Sequence, residues 1–301
     1  MYIIYARFLF LIMMLKKQTF LLFLIYLPFF GFSQQTTIDI GQELKALNKF
    51  SLQIIESDND EQKIAANTNF RNTLVAILEN NSSFETDFSS VEKMSVLKEN
   101  NLKIYNWVLP YQNGTYEYFA FLQIKLANNT LKVVELSDKS AEIEKPENKI
   151  LTPKNWFGAL YYTLIYEEKL GKSYYTVLGW DGNNLLTNKK IIDVFEIDIN
   201  GNVKIGAAIF KMEKKTQRRV IFEYGKEYSM SLKFDEENKR IVFDYLVPAS
   251  SKLKDVYEYY GPSLDTFDAL VLEKGKWSYL PSVKVQNEKN KKDKNWNDPL
   301  K

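Results

Sequence analysis

Residues 93–109, KMSVLKENNLKIYNWVL, mark the point where the pattern of this sequence changes from helix to strand. Apolar side chains at Met94 and Val96, and then at closely spaced positions from Leu102 to Leu109, flank the turn-forming cluster Lys98-Glu99-Asn100-Asn101. Two apolar runs around a polar turn are typical of a β-hairpin. The stretch therefore predicts a first hairpin, and a chain built of strands from residue 93 onward.

Upstream of this hairpin, apolar residues recur at helical spacing in two groups separated by the polar segment 57–60. The first group is Ile40, Leu44, Leu47, Ile54 and Ile55, and the second is Phe70, Leu74, Ile77 and Leu78. They predict two amphipathic helices within a helical N-terminal element over 34–92. Ser82 and Glu85 have the spacing of a capping box, so a third short helix is the alternative to a plain connector over 84–90.

Downstream, apolar and aromatic runs alternate with Asn, Asp and Gly turns, as in antiparallel hairpins. Residues 137–149 are charged and irregular, and they predict a boundary between two sheets. The run 156–166 is apolar on nearly every position, which fits a strand covered on both faces or a short buried helix. The predicted strands are 116–126, 130–136, 174–180, 191–198, 203–210, a meander of 219–224, 229–234 and 240–246, and then 267–272 and 277–280.

These elements predict an α+β fold, in which an N-terminal helical pair precedes a large antiparallel β region of hairpins and meanders. The antiparallel β domain is expected over 93–283. Residues 284–301 are rich in lysine and asparagine and have little to bury, so they are expected to form a disordered polar tail.

The N-terminal residues 1–33 have the layout of a secretory signal peptide. Basic Lys16 and Lys17 precede an apolar run over 20–30, and the small-residue exit Gly31-Phe32-Ser33 follows it. Cleavage is expected near Gln34, and retention as an uncleaved anchor is the alternative. No later segment has a long uncharged apolar run, so no membrane span is expected after the signal peptide. The expected location is periplasmic or secreted.

The composition excludes several chemistries, because the 301 residues contain neither cysteine nor histidine. Disulfides and thiolate metal ligands are absent from an exported chain, so its stability must come from burial. Catalysis by Ser-His-Asp or Cys-His groups and ordinary zinc hydrolysis are ruled out as well.

The charge of the chain argues against nucleic acid as a partner. The 40 basic residues outnumber the 38 acidic ones, but three of the basic residues lie in 1–33. Without that segment the net charge falls from +2 to −1. A nucleic-acid-binding protein needs a basic surface, which this balance does not provide.

The turn after the strand 174–180 holds the candidate binding residues Trp180, Asp181 and Asn183. Exported binding modules use exposed rings and polar turns to hold sugars or protein partners, and Trp180 is the ring most expected to be exposed. This turn and 198–202 also contain the oxygen-bearing side chains of a calcium loop. Neither has the spacing that calcium ligands require, and Asx and Gly residues are common in turns for steric reasons alone. No metal, cofactor or catalytic residue is assigned.

Carboxylates alone can hydrolyse glycosidic bonds, so a histidine-free glycan hydrolase is the alternative function. The acids in or beside the predicted strands are Glu167, Glu168, Asp181, Asp193, Glu223 and Asp244. Glu167 and Glu168 are neighbours, and in a strand they would point to opposite faces and could not share a substrate.

Three segments together resemble a family of uncharacterised exported β-rich proteins from Bacteroidota-type bacteria. They are WFGALYY at 156–162, LGWDGNN at 178–184 with TNKK at 187–190, and RVIFEY at 219–224. The resemblance covers most of the chain after residue 33 and implies an envelope location, but no activity or site. The sequence thus predicts an exported non-catalytic envelope protein that binds another envelope component, either a protein or a glycan.

Overall fold

The computed structural model describes residues 39–171 and 173–284. The predicted signal peptide lies outside the described residues, and so does the predicted polar tail apart from Lys284. The predicted α+β fold is confirmed, since in the described residues two helices precede a large, mainly antiparallel β region of 15 strands in three sheets.

Two capped helices form the first layer, α1 (Ile40–Glu56) and α2 (Asp60–Leu78). The side chain of Asp39 accepts N–H groups from the first turn of α1, and Asn59 does the same for α2. Such caps satisfy N–H groups that have no partner within the helix. Of the two alternatives for the segment after α2, the capping box at Ser82 does not form, and the segment contains a single 3₁₀ turn, Ser83–Glu85. Neither α1 nor α2 combines the length and apolarity that a bilayer span requires.

Fifteen strands follow in the described residues, and they pair into three sheets. The first sheet has the order β1-β2-β3-β4, the second β11-β7-β6-β5 with β8 beside β7, and the third β10-β9-β15-β14-β13-β12. All pairs are antiparallel except β9 with β15. The strands are β1 (Ser95–Glu99), β2 (Leu102–Pro110), β3 (Tyr116–Lys125), β4 (Leu131–Ser137), β5 (Leu160–Tyr166), β6 (Tyr174–Asp181), β7 (Thr187–Ile197), β8 (Val203–Ile205), β9 (Phe210–Lys211), β10 (Thr216–Gln217), β11 (Val220–Gly225), β12 (Leu232–Asp235), β13 (Arg240–Pro248), β14 (Tyr260–Glu273) and β15 (Lys276–Val283).

The layers stack in chain order as helices, first sheet, second sheet and third sheet, with a buried apolar cluster at each of the three junctions. Alternate side chains of one strand contribute to the clusters on its two faces, as the pleat of a strand requires. In β2, for example, Ile104 faces the second sheet, whereas Trp107 faces the helices. The cluster between the second and third sheets contains Ile192, Phe210, Ile241, Leu270 and Trp277.

The local hairpins follow the sequence closely, but two longer-range predictions are wrong. The strand predicted over 203–210 breaks at Gly206, whose φ of +92° favours glycine, so β8 pairs in the second sheet and β9 in the third. The three strands predicted over 219–246 do not form a meander. β11 pairs with β7 at the edge of the second sheet, while β12 and β13 lie in the third.

A fully buried ion pair joins β7 to the segment before β11. Arg219 Nε donates to Asp193 Oδ2 at 2.8 Å, and both side chains are inaccessible to solvent. The guanidinium also donates to the carbonyl oxygens of Pro146, Lys149 and Ile205. A buried charge is tolerated only when it is paired and hydrogen-bonded in this way. The pair therefore anchors the long connection between the first and second sheets.

Asp193→Asn is expected to lower the free energy of unfolding by about 3–5 kcal/mol, because it leaves the Arg219 guanidinium buried without a counter-charge. Urea denaturation measures this loss. The matched control is Glu135→Gln, which removes the acid from the exposed ion pair with Arg71. The control should cost less than about 1 kcal/mol. Equal losses in the two variants would contradict the assigned role of the buried pair.

Candidate ligand-binding cleft

The turn after β6 is held in one conformation by its own side chains. Asp181 Oδ1 accepts the N–H of Asn183 at 2.7 Å, and Asn184 Oδ1 accepts the N–H of Thr187 at 2.9 Å. Asn183 has a φ of +48°, a region that asparagine tolerates better than most residues. A Cβ at Gly182 would lie 2.3 Å from the ring of Tyr116, so glycine lets the turn approach β3.

Asp181 also ties the second sheet to the first. The hydroxyl of Tyr118, on β3, donates to Asp181 Oδ1 at 2.9 Å and accepts the N–H of Gly182 at 2.8 Å. Asp181 is 6% exposed, and burial raises the pKa of its carboxyl. The Asn183 N–H, Lys189 and Tyr118 oppose that rise. The Asp181 carboxyl thus lies at the edge of the buried core and keeps a small exposed surface.

Three charged side chains form a lateral row on the face of the second sheet that is turned toward the first. Asp181 on β6 is paired with Lys189 on β7, and Lys189 is paired with Glu223 on β11. Residues directly opposite each other on neighbouring strands share a face and interact. This acid–lysine–acid row is a product of strand register, because it joins Asp181 and Lys189 of one hairpin to Glu223, which lies much later in the chain.

Asn183 connects all three members of the acid–lysine–acid row. Its Nδ2 donates to Glu223 Oε1 at 3.3 Å and to Thr187 Oγ1 at 2.6 Å, and its Oδ1 accepts from Lys189 Nζ at 2.8 Å. Thr187 Oγ1 donates to Glu223 Oε1 at 2.8 Å. The turn and the row are therefore one hydrogen-bonded unit.

Trp180 does not face this unit, because neighbouring residues of a strand point to opposite sides of the sheet. The expectation that its ring is exposed is wrong, since the ring is half-buried and packs edge-on against Tyr116 at a centroid separation of 5.5 Å. Lys226 Nζ lies 5.1 Å from the centre of the same tyrosine ring and donates to the Gly182 carbonyl oxygen. Trp180 supports a wall of the site, and Asp181 and Asn183 line it.

Two adjoining cavities of about 430 Å³ and 460 Å³ surround the row, and together they are named the cleft. They share Ser140, Phe157 and Lys189, so Lys189 lies at their junction. The first is lined by Thr115, Tyr116, Glu117, Tyr118, Asp138, Lys139, Ser140, Ala141, Glu142, Phe157, Asp181, Asn183 and Lys189. The second is lined by Ser140, Ile143, Pro146, Glu147, Phe157, Lys189, Lys215, Gln217, Ile221, Glu223 and Tyr257.

Most residues of the cleft wall could not be predicted from the sequence. The charged segment 137–149 predicted a sheet boundary, and this boundary also supplies lining residues from Asp138 to Glu147. The Asp138 carboxylate holds the segment in place by accepting N–H groups from Tyr118, Ser140 and Gly158. Phe157 falls in the apolar run 156–166 and Tyr257 in no predicted element, and no local pattern marks either one as a cleft residue.

The candidate acids separate clearly in the structure. Asp181 and Glu223 line the cleft. Asp193 is fully buried against Arg219, and Glu167 pairs with Lys239 at 3.6 Å. Asp244 is buried and accepts the N–H of Ser231. The chemistry of this cleft therefore depends on Asp181 and Glu223 among the acids that the sequence nominated.

Neither candidate calcium loop brings enough acids together. Within 39–171 and 173–284, no group of three or more acidic side chains is placed to hold a metal ion. In the turn at 198–202, Asp198 accepts the N–H groups of Asn200 and Asn202 at 2.8 Å. The Asx and Gly residues of both turns have a structural explanation in these local hydrogen bonds.

The chain matches no protein-family model, no curated protein and no solved structure. Its function is therefore inferred from the geometry of the cleft.

Asp181→Asn is expected to gain stability relative to the parent protein as the pH rises from 3.5 to 7. Burial raises the pKa of Asp181 in the folded state. The unfolded chain therefore ionises first, near pH 3.9, and above that pH the buried carboxyl disfavours folding. The amide of asparagine carries no charge at any pH. Urea unfolding of both proteins at the two pH values measures the difference.

Asp198→Asn is the control, and its sign is opposite. Hydrogen bonds from the Asn202 N–H and side chain lower the pKa of Asp198, so its contribution to stability is present at pH 7 and is lost as the pH falls. The free energy of unfolding of Asp198→Asn, relative to that of the parent, should thus be lower at pH 7 than at pH 3.5. The same pH trend in both variants would contradict the pKa assignment at Asp181.

Proposed function

We propose that this chain is an exported, non-catalytic protein of a bacterial cell envelope that binds another envelope component through the cleft. The observation that carries the proposal is the pair of adjoining cavities around a prearranged polar row. Asn183, Thr187 and Tyr118 hold the row before any ligand arrives, which reduces the entropy cost of binding.

Export is supported by the sequence alone. Residues 1–33 have the basic, apolar and small-residue order of a signal peptide. The resemblance of 156–162, 178–184 and 219–224 to exported proteins of Bacteroidota-type bacteria supports an envelope location. The mature protein is expected to begin near Gln34.

A non-catalytic role is supported by the residue that lies between the two cleft acids. Asp181 and Glu223 lie on β6 and β11, with β7 between them, so their backbones are two strand spacings or about 9.5 Å apart. Lys189 occupies the space between the two acids. Retaining glycosidases place their two carboxyls about 5 Å apart, and inverting enzymes place them about 6.5–9.5 Å apart and need the space that Lys189 occupies here for a water. Each acid here also has one oxygen engaged by protein donors.

Binding at the cleft is expected to yield a specific crosslink in cells of the source organism. A photo-reactive p-benzoyl-phenylalanine replaces Ala141, which is exposed and lines the first cavity. The control replaces Ile199, which is exposed in a turn outside the cleft wall. Irradiation should give an adduct of defined mobility at Ala141 and none at Ile199. Matching adducts at both sites, or none at Ala141, would count against the proposal.

A carboxylate glycan hydrolase is the second candidate, because burial raises the pKa of Asp181 and Asp181 shares the cleft with Glu223. A general acid needs a raised pKa. This candidate predicts release of reducing ends from envelope polysaccharide by the purified protein, and loss of at least about 100-fold of that activity in Glu223→Gln. Absence of reducing-end release by the parent protein would exclude the hydrolase function.

A further inference from the structure

The cleft offers a run of hydrogen-bonding groups that are partly free. Asp181 Oδ1 and Glu223 Oε1 are each engaged by two protein donors, and the second oxygen of each accepts no hydrogen bond from the described residues. Lys189 Nζ has three donors and gives one to Asn183. Acceptors therefore alternate with a donor across three strands.

Hydroxyl groups fit this alternation better than other ligand groups. A hydroxyl both donates and accepts, so neighbouring hydroxyls can satisfy the free oxygens of Asp181 and Glu223 and the free donors of Lys189 together. A carboxylate or phosphate only accepts, and it would leave the acid oxygens unpaired. An ammonium group only donates, and at the junction of the cavities it would meet Lys189.

The charge of the wall argues against an anionic ligand. Six acids and three lysines line the two cavities, so a polyanion would meet a net negative surface. Two cavities of more than 400 Å³ each, joined at Lys189, suit an extended ligand better than a single small molecule.

Aromatic rings supply the apolar contacts that a sugar chain needs. Tyr116 lies half-buried in the wall of the first cavity, and Tyr257 lies at the second cavity and is 43% exposed. Rings with an apolar face and a polar edge are the usual anchors of such interfaces.

From these groups we infer that the ligand of the cleft is an uncharged polysaccharide, held by its hydroxyls on the acid–lysine–acid row and by stacking on Tyr257. This inference rests on the proposed binding function and names its ligand class.

The test is electrophoresis of the purified mature protein in native gels that contain one polysaccharide each. The neutral probes are barley β-glucan, glucomannan, arabinoxylan and the neutral surface polysaccharide fraction of the source cells, and alginate is the anionic probe. Poly-lysine, in a separate titration, is the cationic probe. At least one neutral probe should retard the protein, and neither charged probe should bind it.

Tyr257→Ala should weaken retardation by the neutral probe about tenfold, which is the loss expected for an aromatic anchor. Tyr259→Ala is the matched control, because Tyr259 lies in the same 3₁₀ turn with 44% of its surface exposed and does not line the cleft. Tyr259→Ala should leave retardation within about twofold of the parent, since truncating a residue outside the contact costs little.

Binding of alginate or poly-lysine alone would overturn the inference, and so would equal losses in the two tyrosine variants. Failure of every neutral probe would overturn it as well. If a protein is nevertheless crosslinked at Ala141 and not at Ile199, the proposed binding function stands and only the ligand class is wrong. If neither result is obtained, both proposals fail.

Discussion

The buried pair of Arg219 and Asp193 is the interaction on which the rest of this structure depends. Two charges buried away from water need a complete set of hydrogen-bond partners. The Arg219 guanidinium donates to one carboxylate and to three backbone carbonyls. Two of those carbonyls, of Pro146 and Lys149, belong to the connection between the first and second sheets. The pair thus determines where this connection lies, and the connection forms a wall of the cleft.

The ion pair and the cleft are parts of one surface of β7. Lys189 and Asp193 are four residues apart on that strand, so both point toward the first sheet. Toward the core, that surface carries the sealed charge pair. Toward the start of the strand, where Tyr118 reaches across to Asp181, the same surface opens to solvent. One strand therefore supplies both a structural charge pair and a polar binding surface.

The α+β class and the hairpins could be predicted, because they depend on the period of apolar residues and on turn chemistry over a few positions. The assignment of strands to sheets could not. Residues 219–224 look like the first strand of a meander, but their partner is β7, which lies earlier in the chain. The cleft could be predicted only in part, for the same reason. Asp181 and Asn183 lie at a visible turn, whereas Lys189, Glu223 and Tyr257 reach them only through pairing and packing that leave no local signal. The exposure of Trp180 was predicted wrongly, because the turn indicates where this residue lies in the chain but not which face of the sheet its side chain points to.

The path of the chain between the second and third sheets has a consequence for the order of folding. β9 and β10 join the third sheet before β11 returns to complete the second, and the remaining third-sheet strands follow β11. The helices and the first sheet use only residues up to Ser137, so a growing chain can assemble them early. The second sheet lacks its edge until Gly225 has been made, and the third lacks most of its strands until Val283. Both sheets are therefore completed after the first one, through contacts of long sequence separation, which are the slow steps of folding.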